Sequence, residues 1–472
     1  MSASPAPAAP SEHRRAVVIG GGLAGMLAAA AIAPYADEVT VVERDVLPAT
    51  AEPRRYLPQS GHAHMMWSGG VEAMEQLLPG VSGRLLTAGA RRIPLTHGMV
   101  ALSAQGWYRR WRPTHYVFAC TRDLLDWAVR EQVLALPSVK TLARARVTGL
   151  AGDARRVTGV RVRTDDGEER LLDATLVVDA SGRSTDAPKW LRSLGLAEVP
   201  QEEVDSGVVY ASRLYQAPPG TEDFPVVTVQ SVARDPRPGR TATLMPVEDG
   251  RWLVTLSGTR GAQPSRDTAE FEDFARSARH PVVAELLAHA TPLTEVATFG
   301  NTANRRRFYE KSRRWPEGLV VVGDAIASFN PIYGHGMSVA AQCARLLRAE
   351  LAGAGLAGAG LARRVQKAVA GPVTVAWSLA TGQDIFYPDT TGRPPRAADH
   401  LLARYVDRLM LTATGDFHVA TALTDVMTLS APMTTLVRPR VLWHALLGPR
   451  LPQLSGPPLT ARERAFMDRT DA

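Results

Sequence analysis

Apolar positions along the chain follow three rhythms, and each predicts a different kind of element. Short unbroken runs, Ala16–Ile19, Val39–Val42, Leu176–Val178 and Leu319–Val322, have the pattern of parallel strands buried on both faces. Between about Val208 and Gly258 the pattern changes to alternation: VVYASRLY, PVVTVQSV, TATLMPV and RWLVTLSG, separated by Pro, Gly and Asp. That spacing predicts an antiparallel sheet with one face turned inward. Helical spacing is found from Met26 to Ala33, where the residues are small, and from Arg122 to Gln132. It returns in the Ala/Gly/Leu stretch Ala349–Ala362, and in several patterns from Trp377 to Leu447 that also include Asp384 and Tyr387. Together these predict an α/β fold with a Rossmann-type domain, an antiparallel β-sheet domain and a C-terminal helical region.

What joins the first strand to the first helix gives that domain its chemistry. Gly20-Gly21-Gly22-Leu23-Ala24-Gly25 follows the strand directly, and the next strand ends at Glu43. This is GxGxxG in a complete βαβ context with an acidic residue about twenty positions on. Gly20 permits the tight turn, Gly22 lets the backbone approach a pyrophosphate, and Gly25 lets helix and strand pack closely. The helix N-terminus adds free N–H groups and the positive end of a dipole. Glu43 is expected to accept hydrogen bonds from a ribose diol, which favours FAD or NAD over NADP.

The late segment GLVVVGDAIASFNPIYGHGMSVAA, Gly318 to Ala341, decides between the two. A strand ending at Gly323-Asp324 offers a carboxylate to ribityl hydroxyls. Pro331 to Met337 offers backbone N–H groups at a helix start, where a flavin ring gains negative charge on reduction. Side chains at Gly334 and Gly336 would collide with a flat ring. The expected cofactor is therefore FAD, held non-covalently.

With GGGLAG and Glu43, the middle segment DASGRST (Asp179–Thr185), and Gly323-Asp324 in this order, the chain resembles the group A flavoprotein monooxygenases of the aromatic-hydroxylase type. The middle segment departs from that family's usual form by Ser181 between Ala180 and Gly182. A narrower likeness, to the epoxidases of polyether antibiotic biosynthesis, is carried by LPQSGHAHMMWSGG (Leu57–Gly70), CTRDLLDWAVRE (Cys120–Glu131), VEDGRWLVTLSGTRG (Val247–Gly261) and NPIYGHGMS (Asn330–Ser338). Where those epoxidases tend to have GVPQ, this chain has Tyr56-Leu57-Pro58-Gln59.

The resemblance implies reduction of FAD by NAD(P)H, capture of O2 as a C4a-hydroperoxide, and oxygen transfer to an alkene. The implied substrate is an apolar polyene or polyketide-like molecule, free or tethered to a carrier protein. Arg122 is implied to reach the FAD phosphates. Arg44 and Val147 complete the candidate cofactor contacts: Gly20, Gly22, Ala24, Gly25, Glu43, Arg44, Arg122, Val147, Gly323, Asp324, Pro331, Gly334, Gly336 and Met337. Candidate substrate contacts are Trp67, Tyr210, Arg213, Met245 and Thr255; no catalytic side chain is assigned. A hydroxylase of an aromatic or indole-isoprenoid substrate would share these motifs, as would a reductase or oxidase of the same fold. A halogenase is disfavoured, because no WxWxIP segment occurs and Trp107–Trp111 is WYRRW.

The expected segments are a tail over 1–14, a discontinuous FAD-binding domain over 15–85, 115–200 and 296–355, a sheet domain over 86–114 and 201–295, and a helical region over 356–472. Composition adds little to this picture. The net charge of +7 in 472 residues is dispersed arginine, with one short cluster at Arg305–Arg307 and Arg313-Arg314, so nucleic acid is not an expected partner. Cys120 and Cys343 suit buried thiols in a reducing cytoplasm. No apolar run reaches membrane-spanning length. His62 and His64 have no further ligands at metal spacing, so no metal is expected.

Overall fold

In the computed structural model, residues 13–221 and 223–468 are described; the expected tail therefore lies outside them up to residue 12. Arg14 is tied to Asp37, its guanidinium 2.6 Å from the carboxylate.

The four unbroken apolar runs, with Val139–Leu142, form one parallel sheet. Its order is Leu319–Val321, Leu176–Asp179, Arg15–Ile19, Glu38–Val42, Val139–Leu142. Val17, Val18, Val39, Val41, Val177 and Val178 are all buried, as expected of strands covered on both faces. The helix Leu23–Ile32 crosses one face, and its run of alanines lets it lie close to its neighbours. From Arg15–Ile19 the chain builds outward first to one side, then returns to build on the other. The order thus reverses between the first strand and Leu176–Asp179, and a crevice opens at the carboxyl ends of these two strands.

The alternating segments form most of an eight-stranded sheet that includes Val209–Gln216, Val226–Val229, Arg240–Val247 and Arg251–Gly258. Met99–Ser103 joins it, running parallel to Val226–Val229. Arg91–Leu95 does not. It pairs with His115–Ala119, which also pairs with Met65–Trp67, and it buries Ile93 and Leu95 with Trp67, Val117 and Ala119. The 86–114 stretch is thus divided between two sheets.

The helix Gly336–Ala354 packs on both Leu23–Ile32 and Leu361–Asp384. Beyond it, Ala397–Ala413, Phe417–Met427 and Pro439–Leu447 pack together around a smaller core. Among the described residues, no helix is long and apolar enough to cross a membrane. Cys120 and Cys343 are buried free thiols.

Candidate functional site

The crevice at the strand reversal opens into a cavity of about 630 Å³. Gly20 sits at its mouth with φ +99°, and an added Cβ would lie 2.7 Å from the Ala180 carbonyl oxygen. At Gly25 a Cβ would lie 1.8 Å from the Gly20 carbonyl oxygen, so this residue seals helix against strand and is not on the cavity wall. Gly22 is different. Nothing lies within 4 Å of its absent Cβ, and the helix it starts has no side-chain cap. Orphan N–H groups facing a cavity form an anion site, which suits a pyrophosphate.

Glu43 is buried beside this turn. Its Oε2 accepts from Gly21 N at 2.7 Å and lies 3.0 Å from Arg54 Nη2, while Oε1 accepts from Asp45 N at 3.0 Å. Arg54 also donates to the Gly21 carbonyl at 3.0 Å. Glu43 therefore braces the glycine turn and lines the cavity, with one acceptor site, on Oε1, left without a partner. Sequence reasoning missed Arg54, since nothing in Pro53-Arg54-Arg55 marks it. Of the other expected contacts on this side, Ala24, Arg44, Arg122 and Val147 line the cavity. Arg44 lies over the Tyr56 ring, and Arg122 pairs with Asp126 at 2.8 Å.

Across the cavity, Asp324 ends its strand with a carboxylate that takes no hydrogen bond from the described residues. Burial pushes its pKa up, and the charges of Arg183 and Arg122 oppose that shift. An unpartnered carboxylate on a cavity wall needs hydroxyl or N–H donors from a ligand. Arg183 lies within DASGRST but went unrecognised; it donates to the Ala303 carbonyl at 2.8 Å. Asp179, at the head of that segment, is fully buried and accepts from Ser181 N at 2.9 Å, Ser181 Oγ at 2.6 Å and Thr185 Oγ1. It holds its own loop, and Ala180 to Ser184 line the cavity instead.

The turn Pro331–Tyr333 leads through Gly334, at φ +65°, into the helix Gly336–Ala354, whose N-terminus also lacks a side-chain cap. An added Cβ at Gly336 would meet only Asp324 Oδ1, at 3.7 Å. Bare backbone here leaves room for a flat group against two uncapped helix ends, so the residues fit FAD. Pro331, Gly334, Gly336 and Met337 line the cavity, whereas Gly323 packs against Ala24.

Behind this turn lies a polar knot that the sequence did not reveal. Asp384, 1% exposed, accepts from Tyr333 Oη at 2.6 Å, Asn304 Nδ2 at 2.7 Å, Asn330 Nδ2 at 2.9 Å and Ser206 Oγ at 3.3 Å. Asn330 Oδ1 in turn accepts from Tyr210 Oη at 2.7 Å. Four donors stand in for the water that Asp384 has lost, although burial still raises its pKa.

The wall facing the sheet is built by His62, Tyr210, Phe299 and Met65. His62 Nδ1 lies 2.7 Å from Ser212 Oγ, which lies 2.6 Å from Thr255 Oγ1, which accepts from Ala63 N at 2.9 Å. Every proton in this chain finds an acceptor when Thr255 donates to Ser212 and Ser212 to His62. That leaves Nε2 carrying its hydrogen on the opposite side of the ring, where it has no partner. Burial holds His62 at about 4, and burial with the Arg122 charge holds His64 at about 3, so both imidazoles are neutral near pH 7. No group of three or more metal-ligating side chains occurs among the described residues.

Of the expected substrate contacts, only Tyr210 reaches the cavity. Thr255 acts through Ser212, while Met245 and Trp67 belong to the core between sheets. Arg213 is on the opposite face of its strand from Tyr210 and Ser212, where it donates to the Thr294 carbonyl at 2.7 Å.

Comparison with known proteins agrees with this geometry. Protein Rv3254 of Mycobacterium tuberculosis is 32% identical over 397 residues, 82% of each chain. The flavin-dependent brominase Bmp2 has a similar structure, with a TM-score of 0.60 at 15% identity over 88% of this chain and 92% of its own. So does PqsL of Pseudomonas aeruginosa, described as a probable FAD-dependent monooxygenase, at 0.59 and 18% over 79% and 97%; another PqsL structure is a complex with 2-aminobenzoylacetate. These structural likenesses show the fold alone. The model of the FAD binding domain matches residues 14–381, and the chain belongs to that family.

Proposed function

We propose that this protein is an FAD-dependent monooxygenase that epoxidises alkenes of an apolar polyene or polyketide-like intermediate, as the polyether epoxidases do, using NAD(P)H and O2. FAD, when bound, supplies the oxygen-activating chemistry. The chain's own residues do the rest. The amides at Gly22 and the Leu23 helix end would hold the pyrophosphate, with Arg44 and Arg122 on the same cavity lining. Asp324 would accept from ribityl hydroxyls, and the N-terminus of the Gly336 helix would stabilise negative charge on the reduced ring. His62, Met65, Tyr210 and Phe299 form the wall against which the substrate is oriented and water excluded.

The observation that carries the alkene reading is that both imidazoles at the cavity are already engaged within the protein: His62 Nδ1 lies 2.7 Å from Ser212 Oγ and His64 Nδ1 2.7 Å from the His62 carbonyl oxygen. A base that activates a phenol works best with a pKa near the working pH, and burial lowers both imidazoles below that range. An alkene needs no such base, because its π bond is the nucleophile. A second reading, hydroxylation of an aromatic substrate, is favoured by the likeness to PqsL, which binds 2-aminobenzoylacetate. The test is incubation with linear polyenes, NADH or NADPH and isotopically labelled O2, followed by mass spectrometry. One labelled oxygen per alkene consumed, as epoxide, is the expected result. Ring hydroxylation of an aromatic compound with polyenes untouched would establish the second reading, and halogenated product formed only with added halide would replace both.

A further inference from the structure

Large apolar side chains exposed to solvent are normal when scattered, but clustered ones mark an interaction surface. Among the described residues fourteen are exposed, and eight of them fall between Leu401 and Leu451. The densest group is on the helix Pro439–Leu447. Val441, His444 and Ala445 face inward, while Leu442, Trp443, Leu446 and Leu447 form the outer face, with Leu446 72% and Trp443 59% exposed. This helix is firmly mounted: Arg408 donates to the carbonyls of Ala445 and Leu446 at 2.6 and 2.7 Å. Tyr405 Oη donates to the Leu436 carbonyl at 2.5 Å, which ties the Ala397–Ala413 helix to the segment before Pro439.

Charge identifies what this face meets. No Asp or Glu occurs between Asp425 and Glu463, while Arg438 and Arg450 flank the helix, Arg440 lies in its first turn, and all three are exposed. Arg450 lies 3.2 Å from Asp416; Arg438 and Arg440 have no carboxylate at ion-pair distance among the described residues. A second copy docked through the same face would bring a second acid-free, arginine-bearing surface against Arg438 and Arg440 and supply them no counter-charge. Anionic lipid headgroups supply that charge, and the boundary below them accepts leucines and a tryptophan. With nine residues, the helix can lie in such a surface and cannot cross it.

We propose that the Pro439–Leu447 face docks the protein on an anionic membrane surface, with Leu442, Trp443, Leu446 and Leu447 at the acyl boundary and Arg438, Arg440 and Arg450 on the headgroups. The test is flotation of the purified full chain with phosphatidylcholine vesicles, with and without phosphatidylglycerol. Binding is expected to the anionic vesicles and to weaken as salt is raised. Trp443→Ser with Leu446→Ser is expected to abolish it without changing FAD content or the circular dichroism spectrum. Arg438→Ser with Arg440→Ser is expected to weaken it about thirty-fold, at about a decade or less per arginine. Failure of the unaltered protein to float with anionic vesicles would overturn the proposal. So would a dimer in sedimentation that the Trp443/Leu446 variant turns into monomer.

Discussion

The Tyr333 hydroxyl donates to Asp384 Oδ1 at 2.6 Å, so the last residue of the long Leu361–Asp384 helix anchors the turn that leads into the Gly336 helix. Replacing Asp384 with Ala strands two amides and two hydroxyls in the interior. At about 1–3 kcal/mol for each buried group left unsatisfied, with partial relief from entering water, a loss of about 2–4 kcal/mol is expected in denaturant unfolding of the FAD-free protein. FAD affinity is expected to fall as well, because the turn beside Gly334 loses its anchor. Unchanged apo stability would show that the knot is incidental.

Asp324 offers a contrast, since its carboxylate satisfies no hydrogen bond within the described protein. Asp324→Ala is expected to leave the apo melting temperature within a few degrees of the original. It removes charge-assisted bonds to the ribityl chain, worth about 1.5–3 kcal/mol, so FAD dissociation constants are expected to rise about ten- to a hundred-fold. Equilibrium titration of apoprotein, followed by flavin fluorescence, measures both this and the next pair.

Gly22→Ala and Gly25→Ala separate binding from folding. The new methyl at position 22 meets nothing within 4 Å, so that variant is expected to fold and bind FAD poorly. At position 25 it strikes the Gly20 carbonyl oxygen at 1.8 Å, and loss of soluble protein is expected. Equal behaviour of the two would refute the roles assigned to them.

Burial lowers His62 from its ordinary 6.5 to about 4. As pH falls from 7 toward 4, the unfolded chain takes up this proton before the folded one does, so folded stability declines over that window. At about 1.4 kcal/mol per unit, His62 accounts for on the order of 2–3 kcal/mol. His62→Asn is expected to lose less stability than the unaltered protein between pH 7 and 4, and parallel curves would contradict this. His335 and the buried carboxylates remain in both proteins, while His64, which the His62 charge also lowers, moves the comparison in the same direction.

FAD is expected to leave the denatured polypeptide entirely in acid. Flavin absorbance that migrates with the precipitated chain would instead require a covalent link.

Much of the fold was legible because its signals are local. The apolar run, glycine turn and helix at Arg15–Ile32 occupy consecutive residues, and so do the strand end, Asp324 and the bare turn that follows. Arg54, Arg183, Asp384 and the His62–Ser212–Thr255 chain were not legible. Most draw their meaning from partners far away in sequence, 150 residues for His62 and Ser212 and 178 for Ser206 and Asp384, while Arg54 reaches back to Gly21 and Glu43 across a loop with no motif to mark it. Tyr210 and Arg213 were both expected to meet the substrate, but three positions apart on one strand they lie on opposite faces, and only Tyr210 lines the cavity. Arg91–Leu95 has the right composition for the large sheet, and only the competing edge of His115–Ala119 decides its place.

The strand order also sets a timetable for synthesis. Leu176–Asp179 emerges from the ribosome with one edge paired to Arg15–Ile19 and the other open until Leu319–Val321 follows. At translation rates of about 5–20 residues per second, the intervening stretch of about 140 residues takes roughly 7–28 seconds. For that time the nascent chain presents an unpaired edge flanked by Val177 and Val178, the kind of surface on which chains aggregate. The part of the cavity wall from Asp324 to Met337 does not yet exist, so the site proposed for FAD is incomplete in the intermediate. The exposed edge is therefore a feature of synthesis that a chaperone can cover and that bound cofactor cannot.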